Sequence, residues 1–136
     1  MNNMKRKMVI GSICVALALV LVFGGSYLYQ YFLYQDAVNR IVLESPKFSN
    51  VENGTYNGEY DAYMVAAEVR VTVEGGRITE IILVKHKTDQ GAPAERIIDD
   101  VLAMQSLDVD TVTGATNSSK VILKVIQNAL ESGMRS

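Results

Sequence analysis

The longest uninterrupted pattern in the chain is an apolar one. From Met8 to Tyr34 the sequence MVIGSICVALALVLVFGGSYLYQYFLY holds no charged residue, which exceeds the roughly 20 apolar residues needed to cross a bilayer core as a helix. A single transmembrane anchor over 8–34 is predicted, with a short tail over 1–7 and a connector over 35–50. Beyond the connector the period changes. Ala67, Val69, Val71 and Val73 alternate with Glu68, Arg70 and Thr72, the period of two of a half-buried strand. Glu74-Gly75-Gly76-Arg77 then supplies a tight turn, because paired glycines accept the positive φ of a hairpin loop. A return strand is predicted over Ile78 to Lys85, with a slip in alternation after Glu80 that signals either a bulge or burial on both faces. An earlier strand, rich in tyrosine, is predicted over Thr55 to Tyr63, after the turn signal Asn53-Gly54.

Two helical patterns follow. In PAERIIDDVLAMQS, Pro93 suits a first helical position, and Ile97, Ile98, Val101 and Leu102 share one face. In SKVILKVIQNALESG the stripe is Val121, Ile122, Val125, Ala129 and Leu130, with Gly133 near the end. Between them, Leu107, Val109 and Val112 suggest a short strand. The expected fold is α+β: a small antiparallel sheet packed with two helices, in a domain over 51–136, preceded by the transmembrane helix.

Charge sharpens the topology. The chain has 13 Lys+Arg and 15 Asp+Glu. Three of the basic residues, Lys5, Arg6 and Lys7, precede the apolar run, and no acidic residue occurs before Asp36, so the part beyond Gln35 carries ten basic against fifteen acidic side chains. The positive-inside rule then predicts a cytoplasmic N-terminus and an extracytoplasmic C-terminal domain. Tyr27, Tyr29, Tyr31 and Tyr34 at the far end of the run suit the headgroup level. A cleaved signal peptide shares this n-region and h-region, with Gly24-Gly25-Ser26 as its weak cleavage site. Cys14 lies inside the apolar run and reads as a packed thiol rather than a lipid attachment site. An acidic domain argues against a nucleic-acid partner. One cysteine and one histidine, His86, cannot supply a zinc or iron–sulfur ligand set.

The polar stretch Thr113–Ser119 is where chemistry is expected. Thr113, Gly114, Ala115, Thr116, Asn117, Ser118 and Ser119 open a predicted helix, presenting hydroxyls and free amides at the positive end of its dipole. Two interpretations stand side by side. One is a phosphate site; the other is an ordinary N-cap in which Thr116, Asn117 or Ser118 bonds the first-turn amides. A Walker loop is excluded by spacing, since Lys120 stands too far along.

Asp110-Thr111-Val112-Thr113-Gly114-Ala115-Thr116 resembles the D-x-x-(S/T)-G-A-T motif of FMN-binding domains, the type carried by flavin subunits of Rnf and sodium-pumping NADH:quinone oxidoreductase complexes. The likeness extends through GTYNGEY, the aromatic at Tyr63, the EVRVTVEGGRITEI hairpin, the following histidine, MQSLDVD and the ATNSSKVILKVIQNAL helix, over about residues 51–131. The resemblance implies FMN joined to Thr116 through a phosphoester bond, made by a separate flavin transferase that recognises Asp110 among other features. It also directs attention to His86 and Tyr63 beside the flavin. The tyrosines at 56, 60 and 63 are candidates to stack on it. His86 reads equally as an exposed strand-end residue between Lys85 and Lys87. Many members have a glycine pair after the aromatic and an E-T-P-G segment after the histidine, where this chain has Met64-Val65 and Thr88-Asp89-Gln90-Gly91.

Two functions follow from these features. One is a membrane-anchored electron-transfer module, whose partners are the membrane, the transferase, and redox donor and acceptor proteins or a quinone. The other is a non-redox tethered binding or sensor domain that retains the fold. An electron-transfer module is favoured over a self-sufficient enzyme, since the sequence shows no substrate pocket, and whether the chain is an enzyme stays open.

Overall fold

The computed structural model describes residues 2–88 and 91–135. Asp89 and Gln90, half of the segment that departs from the family pattern, lie outside the described residues.

The apolar run forms one helix, α1, over Asn3–Asn39. It is long and apolar enough to cross a membrane, and its most apolar window has none of its residues buried within the protein. After a turn at Arg40 and an extended stretch, a single 3₁₀ turn over Phe48–Asn50 leads into the domain. Three strands follow, β1 (Gly54–Ala62), β2 (Val65–Glu74) and β3 (Arg77–Lys87), paired antiparallel in the order β1-β2-β3. The Gly75-Gly76 turn is as expected, with φ of 57° and 75° at its two central residues. That doubly positive pair matches the twist of the flanking strands. The slip predicted after Glu80 is part of a real irregularity: Thr72 pairs with Glu80 but Val73 with Ile78, leaving Thr79 unopposed. A second shift, between Glu68 and Val69, leaves Val84 unopposed.

β1 ends at Ala62, so Tyr63 is a turn residue and not a strand residue, with φ 65°. The Asp61 carboxylate accepts the Tyr63 N–H at 2.7 Å, a local bond that holds this left-handed position. Pro93 is the second residue of a 3₁₀ turn over Ala92–Arg96 and does not open an α-helix, and α2 proper spans only Ile97–Met104. α3 spans Thr116–Ser132 and so begins three residues before the predicted Ser119. Its apolar face is also wider than the predicted stripe, because Leu123 and Ile126 are buried as well. No strand forms over Leu107–Val112. Leu107 and Val112 are buried there as anchors of an irregular segment, and the Ser119 hydroxyl takes the Val112 N–H that a neighbouring strand would otherwise have accepted.

The core lies between α3 and the inner face of the sheet, with Val69, Val71 and Val73 against Ile122, Val125, Ile126 and Ala129. Gly58 is required there: a Cβ at that position would overlap the Val125 carbonyl oxygen and the Ala129 amide, so β1 meets α3 backbone to backbone. Val38 at the end of α1 and Phe48 in the connector are also buried in this core, Val38 to 1% exposure. The Tyr60 hydroxyl donates to the Ala37 carbonyl at 3.0 Å, and the Glu44 N–H donates to the buried Gln127 side chain at 3.0 Å. The anchor is therefore docked on the domain by packing and hydrogen bonds. Edge strand β3 is guarded at its start, where the Gln105 side-chain amide exchanges two hydrogen bonds of 2.9 Å with the Ile78 backbone.

Candidate functional site: the loop before α3 and the cleft beside it

Asp110 to Ala115 reach the start of α3 through a tight turn. Gly114 takes φ 80°, a left-handed value that glycine adopts without strain, and the Ala115 N–H returns to the Val112 carbonyl at 2.9 Å. Buried Ser119 clamps the turn from inside the helix, its hydroxyl accepting from Val112 N at 3.0 Å and donating to the Ala115 carbonyl at 2.8 Å. Thr116 is the first residue of α3 and is exposed. The N-cap position belongs to Ala115, which has no side-chain oxygen, and no side-chain cap bond forms. The N-cap interpretation of the loop therefore fails on register: Thr116, Asn117 and Ser118 sit inside the first turn, with its amides still free of a side-chain acceptor. Such an end favours a negatively charged group.

A cleft of about 520 Å³ opens beside this turn, within the range typical of cofactor and ligand pockets. Gly114 to Ser118 line it, together with Met64 of the β1–β2 turn and Val65 at the start of β2, and with Thr88 and Gly91. Tyr27, Tyr31 and Tyr34 of α1 complete the lining. Gly91 is packed tightly, since a Cβ there would overlap the Ser118 and Thr88 hydroxyls. Those hydroxyls lie 3.4 Å apart, and Thr88 also accepts the Gly91 N–H at 2.6 Å.

Not every candidate residue gathers here. Gly114, Ala115, Thr116, Asn117 and Ser118 line the cleft; Thr113 is exposed beside it, and Ser119 is consumed by the clamp. Tyr63 is 48% exposed and outside the lining, next to Met64, with its carbonyl accepting from Lys87 Nζ at 2.7 Å. Tyr56 and Tyr60 are structural: Tyr56 bonds the Glu52 carbonyl and packs over Gly133, while Tyr60 holds α1. His86 is not an exposed strand-end residue. It pairs with Ala67 on the inner face of the sheet, its side chain is only 3% exposed, and Nδ1 lies 2.9 Å from Glu95 Oε1. An ionised carboxylate only accepts, so Nδ1 carries the proton in this bond; Nε2 is buried without a partner among the described residues. Asp110 is exposed, beside Asp100 and Asp108 on the outer surface.

The residues fit a flavin mononucleotide by chemistry. The start of α3 offers hydroxyls and amides for the phosphate, and the tyrosines with Met64 and Val65 offer aromatic and apolar surface for the ring. Fold and cleft together define a cofactor-binding domain held on an apolar helix. The chain belongs to the FMN-binding domain family, whose pattern matches residues 63–131, and it binds FMN. With α1 it is a membrane-anchored FMN-binding protein. It is also similar to an uncharacterized protein of Treponema pallidum (strain Nichols), with 27% identity over 86 residues, 61% of this chain. The chain spans about a quarter of that relative's length, 24%.

The lining residues not expected from sequence are the α1 tyrosines, Met64, Val65, Thr88 and Gly91. For the tyrosines a signal existed: 27, 31 and 34 follow the helical spacing that also contains Val38.

Proposed function

We propose that the chain carries FMN covalently on Thr116 and serves as an extracytoplasmic electron-transfer module tethered to the membrane. The observation that carries this reading is where the motif threonine sits: Thr116 is exposed and lines the cleft, on a helix start whose amides have no side-chain cap. In the esterification, Thr116 Oγ1 would displace the leaving group of an activated flavin phosphate supplied through the transferase: a new P–O bond to Thr116 forms as the P–O bond to that group breaks, and the threonine proton leaves with the departing group. The exposed Asp110 is accessible to a transferase that must dock beside the turn. Gly114, which meets no neighbour within 4 Å of a notional Cβ, leaves the approach open. When bound, FMN supplies reversible electron exchange; the protein supplies position and electrostatics.

Helix-end electrostatics are worth about 0.3–1 kcal/mol per exposed charge, too little to retain a scarce cofactor. A covalent bond answers that need outside the cytoplasm. The Lys5–Lys7 cluster supports the outward orientation of the domain. Donor and acceptor are then redox proteins or a quinone that meet the domain at the membrane surface.

The test is coexpression of the full chain with an active flavin transferase. In-gel flavin fluorescence under denaturing conditions and an FMN mass increment are expected for the native chain and for Ser118→Ala, and neither for Thr116→Ala. Survival of the increment in Thr116→Ala refutes the attachment site. A native chain that never gains the increment returns the domain to a non-covalent binding or sensor role.

A further inference from the structure

We infer that the anchor helix is itself part of the cofactor site: Tyr27, Tyr31 and Tyr34 of α1 form the wall against which the flat isoalloxazine ring lies. This rests on FMN occupying the cleft at the start of α3.

The first support is register. Tyr27, Tyr31 and Tyr34 stand at i, i+4 and i+7, and Val38 at i+11 continues the same stripe. Val38 is buried in the domain core, and Tyr34 packs against that core. One helical face is thus fixed to the domain at its lower end and, a few turns back, runs past the domain edge over the cleft. The Tyr60–Ala37 and Glu44–Gln127 hydrogen bonds hold the helix at that rotation. The three tyrosines therefore face the turn because of the way α1 is docked.

The second support is chemistry. The Thr116 side of the cleft is small and polar, with nothing flat to receive a three-ring aromatic system. The opposite wall is aromatic. Tyr31 and Tyr34 have ring centroids 6.4 Å apart at 58°, and the Gln35 amide donates to the Tyr31 hydroxyl at 3.0 Å, which steadies its phenol. Tyr27 and Tyr31 remain 61% and 40% exposed, so their faces are available to a planar ligand. Aromatic pairs prefer offset or edge-to-face contacts with centroids about 4.5–7 Å apart, and the ladder offers such contacts without closing the cleft.

The third support is height. Residues 8–26 rise about 28 Å as a helix, close to the roughly 30 Å of hydrocarbon in a bilayer. The ladder starts where the hydrocarbon ends, at the level that tyrosine favours. Tyr29 lies at the same height but does not line the cleft, which separates membrane anchoring from cofactor contact within one turn.

The experiment uses the full chain, coexpressed with the transferase and reconstituted in lipid nanodiscs. An excited flavin in contact with a phenol is quenched by electron transfer from the phenol, so the native protein should fluoresce weakly. Tyr27→Leu with Tyr31→Leu should raise flavin fluorescence several-fold and alter visible circular dichroism, while the FMN mass increment stays complete. Tyr31→Phe should brighten the flavin less than the double variant, because the Tyr27 and Tyr34 phenols remain, and keep most of the dichroism, because its ring remains. Tyr29→Leu should match the native protein. Full flavin loading with ladder variants indistinguishable from Tyr29→Leu overturns the inference and leaves the FMN reading intact. Absence of any FMN from the native chain overturns both.

Discussion

Replacing Phe48 by alanine tests whether the connector is part of the folded unit. Phe48 sits three residues before Val51, where the sequence predicts the domain to begin, yet its ring is buried in the same cluster as the sheet and α3. Truncating a buried phenylalanine costs about 3–5 kcal/mol, and the lower end applies here because the ring retains slight exposure. Total stability of such a domain is about 5–15 kcal/mol, so the loss is a large share of it. At about 4–8 °C per kcal/mol for a unit of 60–100 residues, a loss of about 3 kcal/mol lowers the Tm by roughly 12–24 °C. Thermal melts of the full chain in detergent, followed by near-ultraviolet circular dichroism, measure it. Val42→Ala is the matched control, because Val42 is an apolar connector residue left 66% exposed, and it should move the Tm little. A Phe48→Ala shift no larger than the Val42→Ala shift would refute the reasoning and make the domain autonomous from Val51. With the expected shift, soluble versions are better begun ahead of Val38 than at residue 51.

Three further outcomes are expected. Gly58→Ala should destabilise by about 1–3 kcal/mol or more, since the atoms in the way are the Val125 and Ala129 backbone and cannot swing aside; an unchanged denaturant midpoint would contradict the close approach of β1 to α3. Ser119→Ala leaves the Val112 N–H without its acceptor and should cost about 1–3 kcal/mol, with faster amide exchange at Val112; equal exchange in both proteins would remove Ser119 from its clamping role. A cysteine at Asn53, in a Cys14→Ser background, should react with a membrane-impermeant thiol reagent in intact cells, and labelling only after lysis would reverse the proposed orientation.

Much of the fold was legible because it rests on local patterns. The Gly75-Gly76 turn follows from the torsions two glycines allow, and alternation from Ala67 to Val73 places β2 without reference to anything distant. The misjudged parts depend on partners remote in sequence. Leu107 and Val112 resemble strand residues, but they are buried as isolated anchors, and the Val112 amide is satisfied by a serine seven residues later. For His86 between two lysines the sequence left two readings, beside the flavin or at an exposed strand end; strand alternation instead turns it inward to Glu95. In the site, the Thr-Gly-Ala-Thr turn is visible in sequence because its chemistry is contiguous. The tyrosines opposite it belong to a segment whose apolar character announces a membrane and conceals its second face.

The continuity of α1 has a mechanical consequence. A helix of 37 residues is about 55 Å long, so roughly 25 Å projects beyond a 30 Å hydrocarbon slab. Had residues 35–50 been a Gly/Ser leash, the domain could have wandered over about 20 Å, sampling partners at many heights and angles. A docked, unbroken post removes that search. The domain stands at one elevation, tips only as the post tips within the bilayer, and turns only by spinning about the membrane normal. Encounter with a partner at the membrane then becomes lateral diffusion in two dimensions between surfaces already levelled, and under the proposed electron-transfer role a change in bilayer thickness, by tilting the post, would alter the gap between flavin and partner.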